Sequence, residues 1–159
     1  MATARTRAPD PAPSDTTLLI RRRLPVPRDE AFRVWTLPEH QRHWLCPAGF
    51  QVVEAQVDLR IGGRYRIGMR APNGDVATTT GTSQVIEAPE RLVYPWRWED
   101  PDALETLVTV EFHDRGQETE LVLRHDRFVD RDRRDKHLQG WEGCLQNLDA
   151  YVASRAQAR

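Results

Sequence analysis

The stretch ETELVLRHDRFVDRDRRDKHLQGWEGCLQNLDAYVA, residues 118–153, contains two different hydrophobic periods. Its first part, Glu118–Asp126, follows a glycine turn and is typical of a strand. From about Asp132 to Ala153 the large apolar residues recur at spacings of three and four, which is the period of an amphipathic helix. These residues are Leu138, Trp141, Leu145, Leu148 and Val152. The change of period predicts a sheet followed by one long C-terminal helix.

Upstream of this stretch, short apolar or alternating segments are separated by turn signals, with no helical pattern between them. In Arg64–Arg70, the residues Tyr65, Ile67 and Met69 alternate with arginine and glycine, as in a half-buried strand. Asn73-Gly74 follows and is a strong hairpin signal. The regular spacing predicts an antiparallel meander of six strands over residues 50–58, 64–70, 76–87, 91–99, 105–113 and 118–126.

The N-terminal part adds one strand and two short helices. Residues 16–24 predict the first strand of the sheet. Pro27 suits the first turn of a helix, and Pro38 begins a second short helix in the same manner. Residues 1–15 are rich in proline and poor in apolar side chains, so we predict a disordered tail ahead of a single domain over residues 16–155.

Together these elements predict an α+β fold. It consists of a curved antiparallel sheet of six to seven strands, two short helices after the first strand, and a long C-terminal helix. One face of the sheet must be covered, and only the terminal helix is long enough to cover it. Periodicity does not decide whether this packing leaves a hollow.

The composition excludes several classes of partner. The 23 basic and 24 acidic residues nearly balance, so no overall field favours nucleic acid or an anionic membrane. Cys46 and Cys144 are far apart and form no Cys-x-x-Cys motif, which predicts two reduced thiols. No apolar run of about 18 residues and no signal-peptide core occur. We therefore expect a cytoplasmic protein without membrane insertion.

Several motifs occur in the order and spacing of one known family. They are VWTLPE at 34–39 with Trp44, DLRIGGRY at 58–65, Asn73-Gly74, EAPERL at 87–92, VTV at 108–110, LVLRH at 121–125 and HLQGW at 137–141. Over roughly residues 16–153 this set resembles the heat-shock-protein-90 ATPase activator homologue (AHSA-type) family. The resemblance implies the SRPBCC, or START-like, helix-grip fold shared with Bet v-type allergens and polyketide cyclases. That fold typically encloses an apolar cavity between sheet and helix, and it hosts carriers, sensors, cyclases and co-chaperone modules.

A ligand site follows from strand alternation if the helix covers the sheet, because alternate side chains of each strand then face the helix. Apolar and aromatic walls with a few polar tips are typical of small-molecule sites. The residues that we predict to line such a cavity are Tyr65, Ile67, Met69, Tyr94, Trp96, Trp98, Val110, Phe112, Leu123, Trp141, Cys144 and Leu148. The same residues also describe an ordinary core, and their large side chains are able to fill the cavity, so both alternatives stay open.

Two histidines, His125 and His137, are the candidates for acid–base chemistry on the inner surface. Histidine titrates near neutral pH and is able to move protons in a cyclisation or dehydration. No paired carboxylate or nucleophile accompanies either residue in the sequence. A structural, hydrogen-bonded role is the alternative, and the HLQGW match favours it for His137.

Other site types are not supported by the sequence. His40, His43 and Cys46 share a spacing that suits one helix face, but no fourth ligand and no zinc motif accompany them. Gly62-Gly63 has no following lysine or helix, so it is not a phosphate loop. We predict no metal and no cofactor.

Three functions remain from these observations. The first is binding of a small hydrophobic or aromatic molecule between sheet and helix, for carriage, sequestration or sensing. The second is a polyketide cyclase or dehydratase reaction that uses His125 or His137. The third is modulation of a chaperone ATPase, which the family name alone suggests. About 15 residues precede the domain, too few for a separate chaperone-binding domain, so we expect no chaperone partner. An exposed edge strand would allow a homodimer.

Overall fold

The computed structural model describes residues 12–157, which form eight strands and three helices. The predicted disordered tail over residues 1–15 lies largely outside the described residues and stays a prediction. The elements in chain order are β1 Leu18–Leu24, α1 Arg28–Thr36, α2 Pro38–Gln41, β2 Gln51–Val57, β3 Arg64–Arg70, β4 Val76–Thr82, β5 Val85–Glu87, β6 Arg91–Trp98, β7 Thr106–Arg115, β8 Glu118–Asp126 and α3 Arg131–Gln157.

The strands form one antiparallel sheet in the order β1-β8-β7-β6-β4-β3-β2, with β5 paired to β6. The first strand pairs with the last one, from Leu18 opposite His125 to Leu24 opposite Thr119. This pairing sets β1 beside β8, and α3 follows β8 directly. The ion pair between Arg22 and Asp149, 2.8 Å long, joins β1 to α3. The predicted α+β class, the order of the elements and the helix-grip arrangement are confirmed.

The sheet differs from the prediction at residues 76–87, which form two strands instead of one. β4 pairs with β6 only at Thr79 and Thr80, and β5 then pairs with a different part of β6. The carbonyl oxygen of Pro95 faces β4, because it accepts a hydrogen bond from the Tyr65 hydroxyl and approaches Gly81. The N–H on that same side of Pro95 is missing, and a proline interrupts a ladder where a donor is needed. The interruption by Pro95 therefore accounts for the break between β4 and β5.

The Asn73-Gly74 turn joins β3 to β4 as predicted. Gly74 has a φ of 97°, a conformation that favours glycine. The side-chain oxygen of Asn73 accepts a hydrogen bond from the Asp75 N–H at 3.0 Å. The turn residues thus account for the register of this hairpin.

The apolar face of α3 is buried against the sheet and α1, as its period predicts. Buried residues on this face are Trp141, Cys144, Leu145, Leu148 and Val152, each at most 4% exposed. The helix extends over Arg131–Gln157, slightly beyond the predicted range. No helix among residues 12–157 is both long and apolar enough to cross a membrane.

Candidate functional site

A continuous row of tryptophans occupies the space between the sheet and α3. The ring centroids of Trp44 and Trp35 are 4.8 Å apart, and Trp35 stacks on Trp141 at 6.0 Å. Trp141 then contacts Trp96 at 5.1 Å, and Trp96 contacts Trp98 at 5.5 Å. All five tryptophans of the chain belong to this row. The row fills much of the hollow that the helix-grip fold typically encloses.

On one side of the row lies a small space, the inner cavity, of about 40 Å³. It has room for about three waters. Its walls come from α1, α2, β2, β3, β6 and adjoining loops, and they include Trp35, Gln41, Tyr65, Ile67, Tyr94 and Trp96. The inner cavity is therefore too small for a lipid or a polycyclic molecule in this conformation.

A larger space, the outer pocket, lies between α3, β3 and β6 and measures about 180 Å³. It is lined by Pro47, Met69, Trp96, Trp98, Lys136, His137, Gly140, Trp141 and Cys144. Trp96 borders both the outer pocket and the inner cavity. The walls are aromatic and apolar apart from two side chains of α3, Lys136 and His137.

A third space, the side cleft, adjoins the outer pocket and measures about 260 Å³. It shares Trp98, Lys136 and His137 with the outer pocket. The rest of its lining is more polar and comes from the β6–β7 and β8–α3 connections, the start of β7 and α3: Asp100, Asp102, Ala103, Leu104, Thr106, Phe128, Val129 and Arg133. The two spaces meet where Trp98 contacts His137.

His125 is completely buried, and both of its ring nitrogens form hydrogen bonds. Its Nδ1 accepts the indole N–H of Trp141 at 3.0 Å, so the neutral ring carries its proton on Nε2. Nε2 then donates to the Thr106 hydroxyl at 2.6 Å, and that hydroxyl donates to the carbonyl of Trp96 at 3.1 Å. Burial, followed by the nearby His137, holds the pKa of His125 well below its usual value. These contacts make His125 a neutral link between α3 and the sheet.

His137 forms a second pair of the same kind. Its Nε2 accepts the indole N–H of Trp98 at 2.9 Å, and its Nδ1 donates to the backbone carbonyl of Arg133 at 2.8 Å. Burial lowers the pKa of His137, although the bond to Arg133 works in the opposite direction. Each candidate histidine thus accepts a tryptophan N–H and keeps its own proton on the other nitrogen.

The lowered pKa of His125 predicts acid-sensitive stability. The unfolded chain takes up a proton at His125 below about pH 6.5, whereas the folded chain does not, so stability is complete above that pH and falls as the pH decreases. Between pH 7.5 and 5.5 we expect His125 to lower the free energy of unfolding by about 1.4 kcal/mol. Urea unfolding followed by tryptophan fluorescence at both pH values, compared between the wild-type protein and His125→Leu, separates this change from that of His137, whose lowered pKa acts in the same direction. A free energy that stays constant over this range would contradict the burial of a neutral His125.

The predicted ligand-binding residues separate into three groups. Tyr65, Ile67 and Tyr94 border the inner cavity, and Trp96 borders both spaces. Four further residues line the outer pocket: Met69, Trp98, Trp141 and Cys144. Four others pack in the core and line neither space: Val110, Phe112, Leu123 and Leu148, each at most 1% exposed. Strand alternation identified the inward face, but it did not separate core residues from pocket residues.

Two polar residues of these walls did not emerge from the sequence as site candidates. Gln41 donates from Nε2 to the carbonyl of Trp35 at 2.8 Å, while its Oε1 is buried without a hydrogen-bond partner among the described residues. Lys136 is the only lysine of the chain and lies at the edge of the outer pocket. The charged run around Lys136 is typical of a solvated helix turn, so only its rarity distinguishes it.

The residues His40, His43 and Cys46 do not converge on one point. His40 Nδ1 lies 2.7 Å from the hydroxyl of Tyr151, and His43 stacks on the same ring at 4.8 Å. The Cys46 thiol donates instead to the carbonyl of Phe50 at 3.4 Å. Within residues 12–157 no group of three or more histidine, cysteine, aspartate or glutamate side chains is arranged to hold a metal ion.

Several solved bacterial structures share this architecture. A protein from Nitrosomonas europaea has a TM-score of 0.78 at 20% identity, and the match covers 92% of this chain and 99% of that chain. An AHSA1 protein from Silicibacter pomeroyi has a TM-score of 0.78 at 24% identity, with 87% and 99% covered. A protein from Rhizobium leguminosarum has a TM-score of 0.73 at 27% identity, with 89% and 96% covered. No curated protein matches the sequence.

The family assignment comes from the sequence itself. The model of the family described as "Activator of Hsp90 ATPase homolog 1-like protein" matches residues 25–153, from the residue after β1 to the last turns of α3. The matched range therefore includes every element except the first strand, and it contains the tryptophan row, both histidine–tryptophan pairs and the outer pocket. Because most of the chain matches, this protein belongs to the Activator of Hsp90 ATPase homolog 1-like family.

Proposed function

We propose that this protein binds a small aromatic molecule in the outer pocket. The observation that carries the proposal is a space of about 180 Å³ walled by Trp96, Trp98 and Trp141. An apolar cavity of about 150 Å³ is large enough to bind benzene, so the outer pocket fits a molecule of one or two rings. The helix-grip fold of the family supports a ligand-binding domain in general.

The unpaired indole of Trp96 supports the same site. Four of the five indole N–H groups have acceptors: Trp35 donates to Tyr94, Trp44 to Val34, Trp98 to His137 and Trp141 to His125. The Nε1 of Trp96 is buried and has no hydrogen-bond partner among the described residues. A buried donor without an acceptor costs free energy, so a ligand oxygen that reached Nε1 through a shift of the Trp96 ring would be stabilising.

The alternatives have less support. A cyclase or dehydratase reaction requires a histidine that exchanges a proton with substrate, but both nitrogens of His125 and of His137 are already hydrogen-bonded within the protein. Burial lowers the pKa of both rings, which weakens them as bases. A chaperone role rests on the family description alone. A cytoplasmic location and a homodimer stay predictions.

The five indole N–H groups provide a direct test, because each gives its own signal in a ¹H–¹⁵N correlation spectrum. We expect titration with indole, 2-naphthol or 2-naphthoate to shift the signals of Trp96, Trp98 and Trp141, with a Kd on the order of 0.1 mM for the best probe. Trp44 is the internal control, since it is fully buried, donates to Val34 and lines neither space.

A blocking variant assigns those shifts to the outer pocket. A Cβ atom on Gly140 would have a single neighbour, Pro47 Cγ, at 3.9 Å, so a larger side chain there extends into the space. We expect Gly140→Leu to keep the folded spectrum and to abolish the shifts. Binding that persists in Gly140→Leu, or shifts confined to exposed residues, would contradict the proposed site.

A further inference from the structure

The polar groups that remain unused around the outer pocket are hydrogen-bond donors. The indoles of Trp98 and Trp141 already donate to the two histidines, and both nitrogens of His137 are engaged. What remains at the lining is the ammonium group of Lys136, because the unpaired N–H of Trp96 is buried away from the accessible space. A ligand that pairs with this donor must present a hydrogen-bond acceptor, preferably an anionic one.

Lys136 is also the only charged residue that lines the outer pocket. Among residues 12–157 it forms no ion pair, whereas its helix neighbours Arg131 and Arg134 pair with Asp15 and Asp135. Lys136 is an exposed residue of the pocket lining, so its flexible side chain is accessible to a ligand. Its position beside an apolar wall differs from that of an ordinary solvated lysine.

The side cleft offers a different electrostatic environment. There Lys136 and Arg133 lie with Asp100 and Asp102, so two positive and two negative side chains share the lining. The remaining titratable group, His137, is held neutral by burial and by its bond to Trp98, since burial lowers its pKa. The charges of the side cleft balance, whereas the outer pocket has a single positive charge.

We propose that the ligand of the outer pocket is an aromatic carboxylate. Its ring lies against the tryptophans and its carboxylate pairs with the ammonium group of Lys136. This inference rests on the proposed function, because it names the class of molecule that the same pocket takes. A neutral aromatic molecule of equal size packs against the same apolar wall but leaves Lys136 without a partner. It therefore binds more weakly than the carboxylate.

The test compares acids with amides of the same shape. Benzoate is compared with benzamide, and 2-naphthoate with 2-naphthamide. Each compound is titrated into the protein at pH 7.5 and low salt, and binding is followed by the indole N–H signals. We expect each acid to bind about fivefold more tightly than its amide, which is the upper range for an exposed ion pair. The preference decreases with added salt because the charges at the rim are screened.

Variants of Lys136 and Arg133 identify the source of the preference. Lys136→Gln should reduce the acid-to-amide ratio to about one, while Lys136→Arg keeps it. Arg133→Gln is the matched control. It removes the same charge one helical turn before Lys136, and Arg133 lines the side cleft but not the outer pocket. A preference that survives Lys136→Gln, or that disappears equally in Arg133→Gln, would overturn the inference.

The single lysine allows a second measurement. An amine-acetylating reagent modifies only one side chain of this protein, and saturating 2-naphthoate should slow that modification at least threefold, whereas 2-naphthamide should not. The possible failures are distinct. If neither acid nor amide shifts the indole signals, the proposed function is wrong; if both bind equally, aromatic binding stands and the carboxylate inference is wrong.

Discussion

Replacing His125 with leucine should lower the free energy of unfolding by about 3 kcal/mol at pH 7.5. The indole N–H of Trp141, which donates to His125 Nδ1 at 3.0 Å, would be left in the core without an acceptor. The hydroxyl of Thr106 would lose its donor as well, although it keeps its bond to the carbonyl of Trp96. A buried donor without a partner costs about 1–3 kcal/mol, and the lost bond to Thr106 adds to this. Urea unfolding of both proteins measures the difference.

A double-mutant cycle separates this bond from simple loss of volume. Trp141→Phe alone also removes the bond, but the pair His125→Leu with Trp141→Phe leaves no unpaired donor. We therefore expect the two changes to be non-additive, with a coupling of at least about 1 kcal/mol. The acid sensitivity attributed to His125 should also disappear in His125→Leu. Additive effects and an unchanged pH dependence would show that His125 acts only by filling space.

This prediction also bears on the enzymatic alternative. A histidine that exchanges protons with substrate needs one nitrogen free or facing the pocket. His125 has both nitrogens occupied by the protein, and it lines neither the inner cavity nor the outer pocket. His137 borders the outer pocket, but its Nε2 is occupied by Trp98. Neither histidine therefore has a free ring nitrogen, and each links an indole of the tryptophan row to another part of the protein.

The fold was readable from the sequence because its signals are local. The period of the apolar residues from Leu138 to Val152 predicts α3, and Asn73-Gly74 predicts the hairpin between β3 and β4. The break between β4 and β5 was not readable, because it depends on Pro95, a residue of another strand that faces β4. A pairing between distant segments leaves no mark on either segment alone.

The site was only partly readable for a related reason. Strand alternation predicts that the side chains of Trp96 and Phe112 both point inward. It does not give the distance from either side chain to α1 or α3. The ring centroids of Phe112 and of Phe32 in α1 are 5.4 Å apart, and Phe112 is buried in the core, whereas Trp96 borders both spaces. The pairing of each histidine with an indole is likewise a property of the packed state. Lys136 lies in a charged run that is typical of a solvated helix turn, so the sequence pattern did not indicate that it lines a pocket.

The tryptophan row limits what the pocket is able to hold. With the inner cavity reduced to about 40 Å³, a long lipid would have to displace Trp96 or Trp141, and each displacement would break packed contacts. Under the proposed function, the outer pocket of about 180 Å³ would take a molecule of one or two rings without this displacement. This difference favours a compact aromatic ligand over the larger ligands that the helix-grip fold is able to enclose elsewhere.

Replacing Gly143 with alanine should lower the free energy of unfolding by about 2 kcal/mol. A Cβ atom at this position would lie 2.5 Å from the backbone N of Ala48 and 3.3 Å from the Cα of Pro47. The contact is with backbone, so the segment 46–48 must move away from α3 as a unit. Such overpacking costs about 1–3 kcal/mol or more, and the higher helix propensity of alanine offsets only about 1 kcal/mol of it.

Gly140, three residues earlier on α3, is the matched control. A Cβ atom there meets only Pro47 Cγ at an ordinary 3.9 Å, so Gly140→Ala should stabilise the helix by up to about 1 kcal/mol. The two alanine variants should thus differ by about 3 kcal/mol in urea unfolding, with opposite signs. Gly143→Ala should also weaken aromatic binding, because Pro47 forms one wall of the outer pocket and would be displaced with its segment. If both alanines stabilise the protein equally, the close approach of segment 46–48 to α3, and the pocket wall built on it, would be wrong.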